Sequence, residues 1–278
     1  MMTMNRANAI ATIIEEKTGL EATAQEVRKG DFIEIGITVG KPDVKIRPNI
    51  YLSQFEDLSD EQIADKVIEI YEEHKDGMQD FDPSSYTDYN KAKENFRLCI
   101  RPKTRNEEDL KRDYLDLEIF IKCKVSGGSI TVKKKHVELW EVDESEIFEV
   151  AKINSRKEYT IDGMVDVMRE LGREDIADEL SDAFEIKPMY VISNTTRVLG
   201  AGAIANTDFL ANFASKIGNF YIIPSSIHEC LAIPEQFVDD TDYMKSLIAD
   251  VNNHQVAPEE RLSYNLYYFN GNEVEIVA

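Results

Sequence analysis

Apolar residues recur at helical spacing in several separate windows of the chain. Ile63, Val67, Ile70 and Tyr71 share one face of residues 60–75, and Ser59 or Asp60 supplies a capping oxygen. Leu210, Phe213, Ala214 and Ile217 do the same over 207–217, which Gly218 ends. Met244, Leu247, Ile248 and Val251 mark a helix over 240–253. Asp143 followed by Glu146 reads as a capping box opening 144–153, whose inner face is Ile147, Val150 and Ala151. Shorter helices are expected over 6–17, 162–171 and 174–184, with Gly172 separating the last two.

Elsewhere the period is two. Ile33, Ile35, Ile37 and Val39 alternate with Phe32, Glu34, Gly36 and Thr38, the pattern of a strand with one buried face. Val44, Ile46, Ile50 and Leu52 continue it, and Pro48 confines that strand to an edge. The longest alternation runs Leu115, Leu117, Ile119, Ile121, Cys123 and Val125, with Asp116, Glu118, Lys122 and Lys124 expected to face away. Gly127-Gly128 turns the chain into Ile130 and Val132, and a phase change before Val137 and Leu139 predicts a bulge near Lys133–Lys135. Asn270-Gly271 is a strong hairpin signal joining Leu266–Phe269 to Val274–Val277.

Strands come in pairs and triplets between helices, so hairpins outnumber strand–helix–strand crossovers. This predicts an α+β protein with mostly antiparallel sheets flanked by helices. Residues 75–91, with Gly77, Pro83 and the polar Ser84–Thr87 run, read as a loop or linker. A further boundary near Ser155–Lys157 divides the chain into two closely packed α+β halves, 1–155 and 156–278.

Composition alters this picture in one respect, the charge. Hydrophobic residues make up 42% of the 278, enough for a sizeable core, which excludes wholesale disorder. Asp and Glu number 53 against 32 Lys and Arg, a formal net charge of −21. Such a field repels phosphate backbones and anionic lipid, so neither nucleic acid nor a membrane surface is expected as a direct partner. Cys99, Cys123 and Cys230 sit singly in apolar runs without a Cys-x-x-Cys, as buried thiols do in a reducing compartment. No run approaches the ~20 apolar residues of a membrane span. The first residues lead into an amphipathic helix rather than a signal segment, so a cytoplasmic location is expected.

Candidate chemistry is sparse. His74, His136, His228 and His254 lie far apart. His228 and Cys230 give only two ligands where zinc needs three or four, so no metal site is expected. Ser225, Ser226, His228 and Glu229 are the one place where nucleophile, base and carboxylate crowd together. Adjacent strand residues point to opposite faces and no nucleophile-elbow motif is present. A Pro224-Ser225-Ser226 turn with hydroxyls bonding the backbone therefore competes with a hydrolase reading. Gly200-Ala201-Gly202-Ala203-Ile204-Ala205 matches a relaxed dinucleotide fingerprint, but the acidic residue about 20 positions on is absent. Small residues that let a strand approach a helix are the competing account, and no cofactor is expected.

The acidic clusters at Glu56–Glu61, Glu72–Asp76, Asp143–Glu149 and Glu174–Glu185 read first as solvated helix faces. Their functional reading is docking on a basic protein, with Glu72, Glu73 and Asp76 as the candidate partner-binding residues. The leading expectation is a non-enzymatic protein-binding factor, in its sharpest form an inhibitor of a nucleic-acid-binding defence enzyme. The alternative is a hydrolase-like enzyme using Ser225, Ser226 and His228.

Four stretches carry a resemblance: Val44–Leu52 with the helix ending Ile70–Glu73, Leu139-Trp140 before Glu144–Asn154, Asn219–Glu229, and Asp250–Asn252 with Val256, Pro258–Glu260, Leu262-Ser263 and Tyr267. In this order they resemble the bacterial domain-of-unknown-function family 5688, itself similar in layout to the YtpQ-like proteins. The resemblance implies one architecture across nearly the whole chain and a bacterial cytoplasmic protein. It carries no catalytic residue, cofactor or partner onto these positions.

Overall fold

The computed structural model describes residues 2–29, 32–42, 47–78, 82–126, 128–182 and 189–277. The chain forms two compact units, one of Met1–Ser85 with Thr104–Asn106 and Val125–Ser129, the other of Tyr86–Lys103, Glu107–Lys124 and Ile130–Ala278.

In the first unit, helix α1 (Met4–Thr18) is followed by strands β1 (Glu21–Lys29), β2 (Phe32–Gly40) and β3 (Asn49–Tyr51), then helix α2 (Asp60–Met78). Thr3 caps α1 by accepting from the Arg6 amide, and Gly19 ends it with φ 69°, a conformation that suits glycine. The strands form an antiparallel sheet in the order β1-β2-β3. Pro48 immediately precedes β3, on the edge, as its missing amide requires. Ile37 and Val39 point into a core shared with Ile10, Ile14, Ile63 and Val67. Ile33 does not; it is 57% exposed, one pair from the turn end of the β1–β2 hairpin. Val44 and Ile46 lie outside the described residues.

The division between the units falls inside the expected linker, within the short helix α3 (Ser84–Thr87), well before residue 155. The linker also carries more helix than anticipated, since α2 runs to Met78 and α4 (Tyr89–Ala92) follows α3. Strand β4 (Phe96–Pro102) then pairs with the hairpin β5 (Lys111–Tyr114) and β6 (Leu117–Val125), and β7 (Gly128–Thr131) pairs with β6. Helices α5 (Lys134–Trp140) and α6 (Glu144–Arg156) come next, followed by β8 (Tyr159–Gly163), α7 (Met164–Glu170), α8 (Glu174–Asp182) and β9 (Tyr190–Asn194). A buried 3₁₀ turn at Gly200–Ala205 precedes α9 (Thr207–Ile217), β10 (Phe220–Ile223), β11 (Cys230–Pro234), α10 (Thr241–His254), β12 (Tyr267–Phe269) and β13 (Val274–Ile276). The last sheet has the order β13-β12-β10-β11-β9-β8. Every strand pair whose register is described is antiparallel, and the fold class is α+β.

Ser155 shows why residue 155 is no seam. It is 2% exposed, and its Oγ accepts from the Leu98 amide at 2.8 Å, tying α6 to β4 within one unit. Two further expectations need correction. The alternation at Leu115–Val125 is not one strand, because Leu115, at φ 54°, and Asp116 form the turn of the β5–β6 hairpin. Lys133–Lys135 holds no bulge: Lys133 bridges to Asp109, and α5 begins at Lys134. His136 Nδ1 accepts from the Lys133 amide at 3.1 Å, which opens that helix and places Val137 and Leu139 on it.

Glu118, expected to face away, is 2% exposed. Arg101 stands directly opposite on β4 and donates Nε to its Oε1 at 2.7 Å, while Lys111 Nζ lies 3.0 Å from Oε2. The same guanidinium reaches Asp109 Oδ2 at 2.6 Å and lies 4.3 Å over the Phe120 ring. A carboxylate can stay ionised at such depth only with its charge answered and its lone pairs bonded. Glu118→Ala is expected to destabilise by about 3 kcal/mol, because the partly buried Arg101 and Lys111 lose the carboxylate they share. Chemical denaturation at neutral pH measures it.

Glu158 provides the acid-sensitive contact. The Arg97 guanidinium at 2.7 Å, helped by Lys124 at 2.9 Å, holds its carboxyl at about 2 instead of 4.5. A depressed carboxyl pKa stabilises the fold above the unfolded value and loses that contribution as pH falls through the folded one. Glu158→Gln is therefore expected to cost about 1 kcal/mol at neutral pH after solvent screening. It should also flatten the decline in melting temperature between about pH 4.5 and 2.

Candidate functional site

The Gly200–Ala205 turn sets the geometry around the Ser–His segment. Gly200, Ala201, Gly202, Ala203 and Ile204 are all buried, so no phosphate could reach this stretch. A Cβ at Gly200 would stand 2.6 Å from the Asn194 nitrogen and 2.8 Å from the His228 carbonyl; one at Gly202 would stand 2.5 Å from the Leu98 carbonyl. The glycines are there for close backbone approach. The dinucleotide fingerprint is thus a packing device, and Asn206 caps α9 by accepting from the Phe209 amide.

The segment after β10 is built around that turn. Ser226 Oγ accepts from the His228 amide at 3.1 Å, and the Ser226 amide donates to the Glu229 carbonyl at 3.0 Å. Ser193 Oγ donates to the His228 carbonyl at 2.8 Å. The His228 ring accepts through Nδ1 from the Leu199 amide at 3.1 Å, leaving the proton of the neutral ring on Nε2. Nε2 faces Glu260 Oε1 at 3.5 Å, and the Ile227 amide donates to the Glu260 carbonyl at 2.9 Å. A carboxylate therefore does stand beside the imidazole, but it is Glu260 rather than Glu229. The bond Ser226 Oγ forms is to the backbone of His228, so Ser226, His228 and Glu229 form a turn and its anchor. Sequence reading missed Ser193, Leu199 and Glu260 because each arrives from a different element. Leu199, just before Gly200, sits at φ 54°, a conformation with no signal in the local sequence.

Ser225 belongs to a different environment. It lines a cleft of about 510 Å³ between α10 and the β10–β11 pair, together with Met189, Leu231, Phe237, Tyr243 and Met244. Asp239 and Asp240 also line it, and Asp240 caps α10 by accepting from the Asp242 and Tyr243 amides. Tyr243 is 65% exposed and Leu247 39%. The α10 stripe named from sequence was Met244, Leu247, Ile248 and Val251; Tyr243 widens it, four residues before Leu247. That excess width was the available signal.

The remaining candidates separate. Glu72 and Glu73 are exposed on α2, with Glu72 paired to Lys75 three residues on. The side chain of Asp76 lies outside the described residues. Burial pushes the Cys99 thiol up to about 12 and Cys123 to about 11, and raises Cys230 as well, so all three are poor nucleophiles. Among the described residues no group of three or more His, Cys, Asp or Glu side chains could hold a metal, and no helix is long and apolar enough to cross a membrane.

The class is now defined: an antiparallel α+β protein with a buried glycine turn and an apolar cleft beside its last long helix. The chain belongs to the DUF5688 family, a family of unknown function, whose model matches residues 6–271. No curated protein and no solved structure matches it.

Gly202→Ala is expected to destabilise by about 3 kcal/mol or to prevent folding, since the obstructing atom is backbone. Ser226→Ala should cost only about 1 kcal/mol, through one lost turn hydrogen bond. Thermal melts of the two variants beside the parent protein check the contrast.

Proposed function

We propose that the protein is a non-enzymatic binding factor that engages a basic protein through its acidic surface. In its sharpest form it is an inhibitor of a nucleic-acid-binding enzyme. The observation that carries this reading is that the acid surplus runs through the whole chain. Residues 1–85 hold 18 Asp and Glu against 9 Lys and Arg, and residues 86–278 hold 35 against 23, so no one segment or tail accounts for it. Several lysines of the first unit are also occupied: Lys17 lies between Glu61 and Asp65, and Lys66 pairs with Glu69. A surface of this sign attracts a cationic partner at long range and repels nucleic acid. The arrangement around His228, with Ser226 engaged on the backbone, supports binding over hydrolysis.

Affinity capture from the native host at low and high salt tests the proposal. A basic partner should be retained at low salt and released at high salt, because attraction between exposed charges is screened beyond ~8 Å at physiological ionic strength. Charge reversal at Glu72, Glu73 and Asp76 should slow association about tenfold while leaving dissociation nearly unchanged, read by surface-immobilised kinetics. A partner indifferent to both changes would sink the electrostatic reading. Ester or amide turnover abolished by Ser225→Ala at an unchanged melting temperature would replace it with the hydrolase.

A further inference from the structure

We infer that the cleft between α10 and β10–β11 is a docking groove for a basic amphipathic helical segment of a partner protein. The inference deepens the binding proposal above and rests on it, since it assigns the contact to a particular site. Three observations select this occupant.

The lining is apolar and adaptable. Ile223, Leu231 and Ile233 form the sheet side, Phe237 also lines the cleft, and Met189 and Met244 supply unbranched side chains that conform to varied shapes. A volume of about 510 Å³ is ample for several aliphatic side chains.

The wall on the α10 side is open. Tyr243 at 65% exposure and Leu247 at 39% line the cleft yet remain exposed. A small ligand in the depth of the cleft would leave them so. A second helix laid along α10 would cover both, as helix-in-groove recognition requires.

The charged residues that line the cleft, among the described residues, are acidic. Asp239 and Asp240 line it, and no Lys or Arg does among the described residues. Helical geometry puts Asp250 on the same edge of α10 as Tyr243 and Leu247, seven and three residues further on, with its Oδ1 3.1 Å from His254 Nδ1, and Asp240 caps the other end of the helix. From Glu229 to Glu260 the sequence holds eight Asp and Glu and one Lys. Lys245, that one lysine, lies 3.6 Å from Asp242. Among the described residues that line the cleft, none offers a counter-charge to an anionic amphiphile such as a fatty acid, whereas a lysine- or arginine-bearing helix meets carboxylates there.

The test uses the full chain and three synthetic helical peptides with the same leucine stripe, whose polar positions are all Lys, all Gln or all Glu. Titration calorimetry should show the Lys peptide binding at least tenfold tighter than the Gln peptide and the Glu peptide not binding. The double variant Tyr243→Ser, Leu247→Ser changes no charge and should weaken the Lys peptide at least tenfold. Asp239→Asn with Asp250→Asn should weaken it several-fold and reduce its salt dependence. A Lys peptide that binds the Tyr243→Ser, Leu247→Ser variant as tightly as the parent overturns the groove and leaves the acidic-surface proposal standing. Equal binding of the Gln and Lys peptides overturns the choice of occupant and makes the cleft an apolar-ligand site. A Lys peptide that fails to bind any form, even at low salt, defeats the groove and the acidic-surface proposal together.

Discussion

The second unit depends on the contact of two glycines with neighbouring backbone. At Gly200 and Gly202 there is no room for a methyl group, because the chain lies against β9, β4 and the His228 carbonyl at once. Leu199 just before them sits at φ 54°, which costs a branched aliphatic residue of order 1–2 kcal/mol. Its amide is answered by the His228 ring, and the Ile204 carbonyl by the Tyr114 hydroxyl at 2.7 Å. A buried, irregular turn is tolerable only if its polar groups are paired. One of the side chains that pair them, His228, is among those that looked chemical in the sequence.

This explains why the densest cluster of reactive residue types is not arranged as a catalytic machine. A triad needs a base whose free nitrogen points at a nucleophile and whose other nitrogen is oriented by an acid. In His228 the roles are inverted. Nδ1 is taken by the Leu199 amide, Nε2 faces Glu260, and Ser226 Oγ is engaged by the His228 amide. The ring holds a turn in place.

What was legible follows the range of the physics. The helix at 207–217 and the hairpin flanking Asn270-Gly271 were readable because caps, stops and turn preferences act within a few residues. The strand at Leu115–Val125 was misread at its start because a positive φ at a leucine has no local signal; the tertiary fold imposes it. Glu118 was placed outward because alternation says only that two faces differ. It does not say that the polar face stays wet, and Arg101 on another strand decides that it does not. Val137 and Leu139 failed for a related reason, since a seven-residue helix opened by His136 is too short to show its period. The cleft was legible only as one aromatic too many on α10.

Charge does two different jobs here, and depth separates them. At Glu118 and Asp109, 2% and 3% exposed, the carboxylates are matched to Arg101 and Lys111, and their energy is spent inside the fold. Along α10 and the loop before it, carboxylates lie beside exposed apolar side chains with a single lysine among them. An apolar patch edged by charge of one sign resists closing on a second copy of itself, because dimerisation would set Asp239, Asp240 and Asp250 against their own kind. The same edge favours a surface of opposite sign. Tyr243 and Leu247 stay 65% and 39% exposed near those carboxylates, so at the surface charge sets which contacts an apolar edge favours, whereas at Glu118 it is consumed inside the fold.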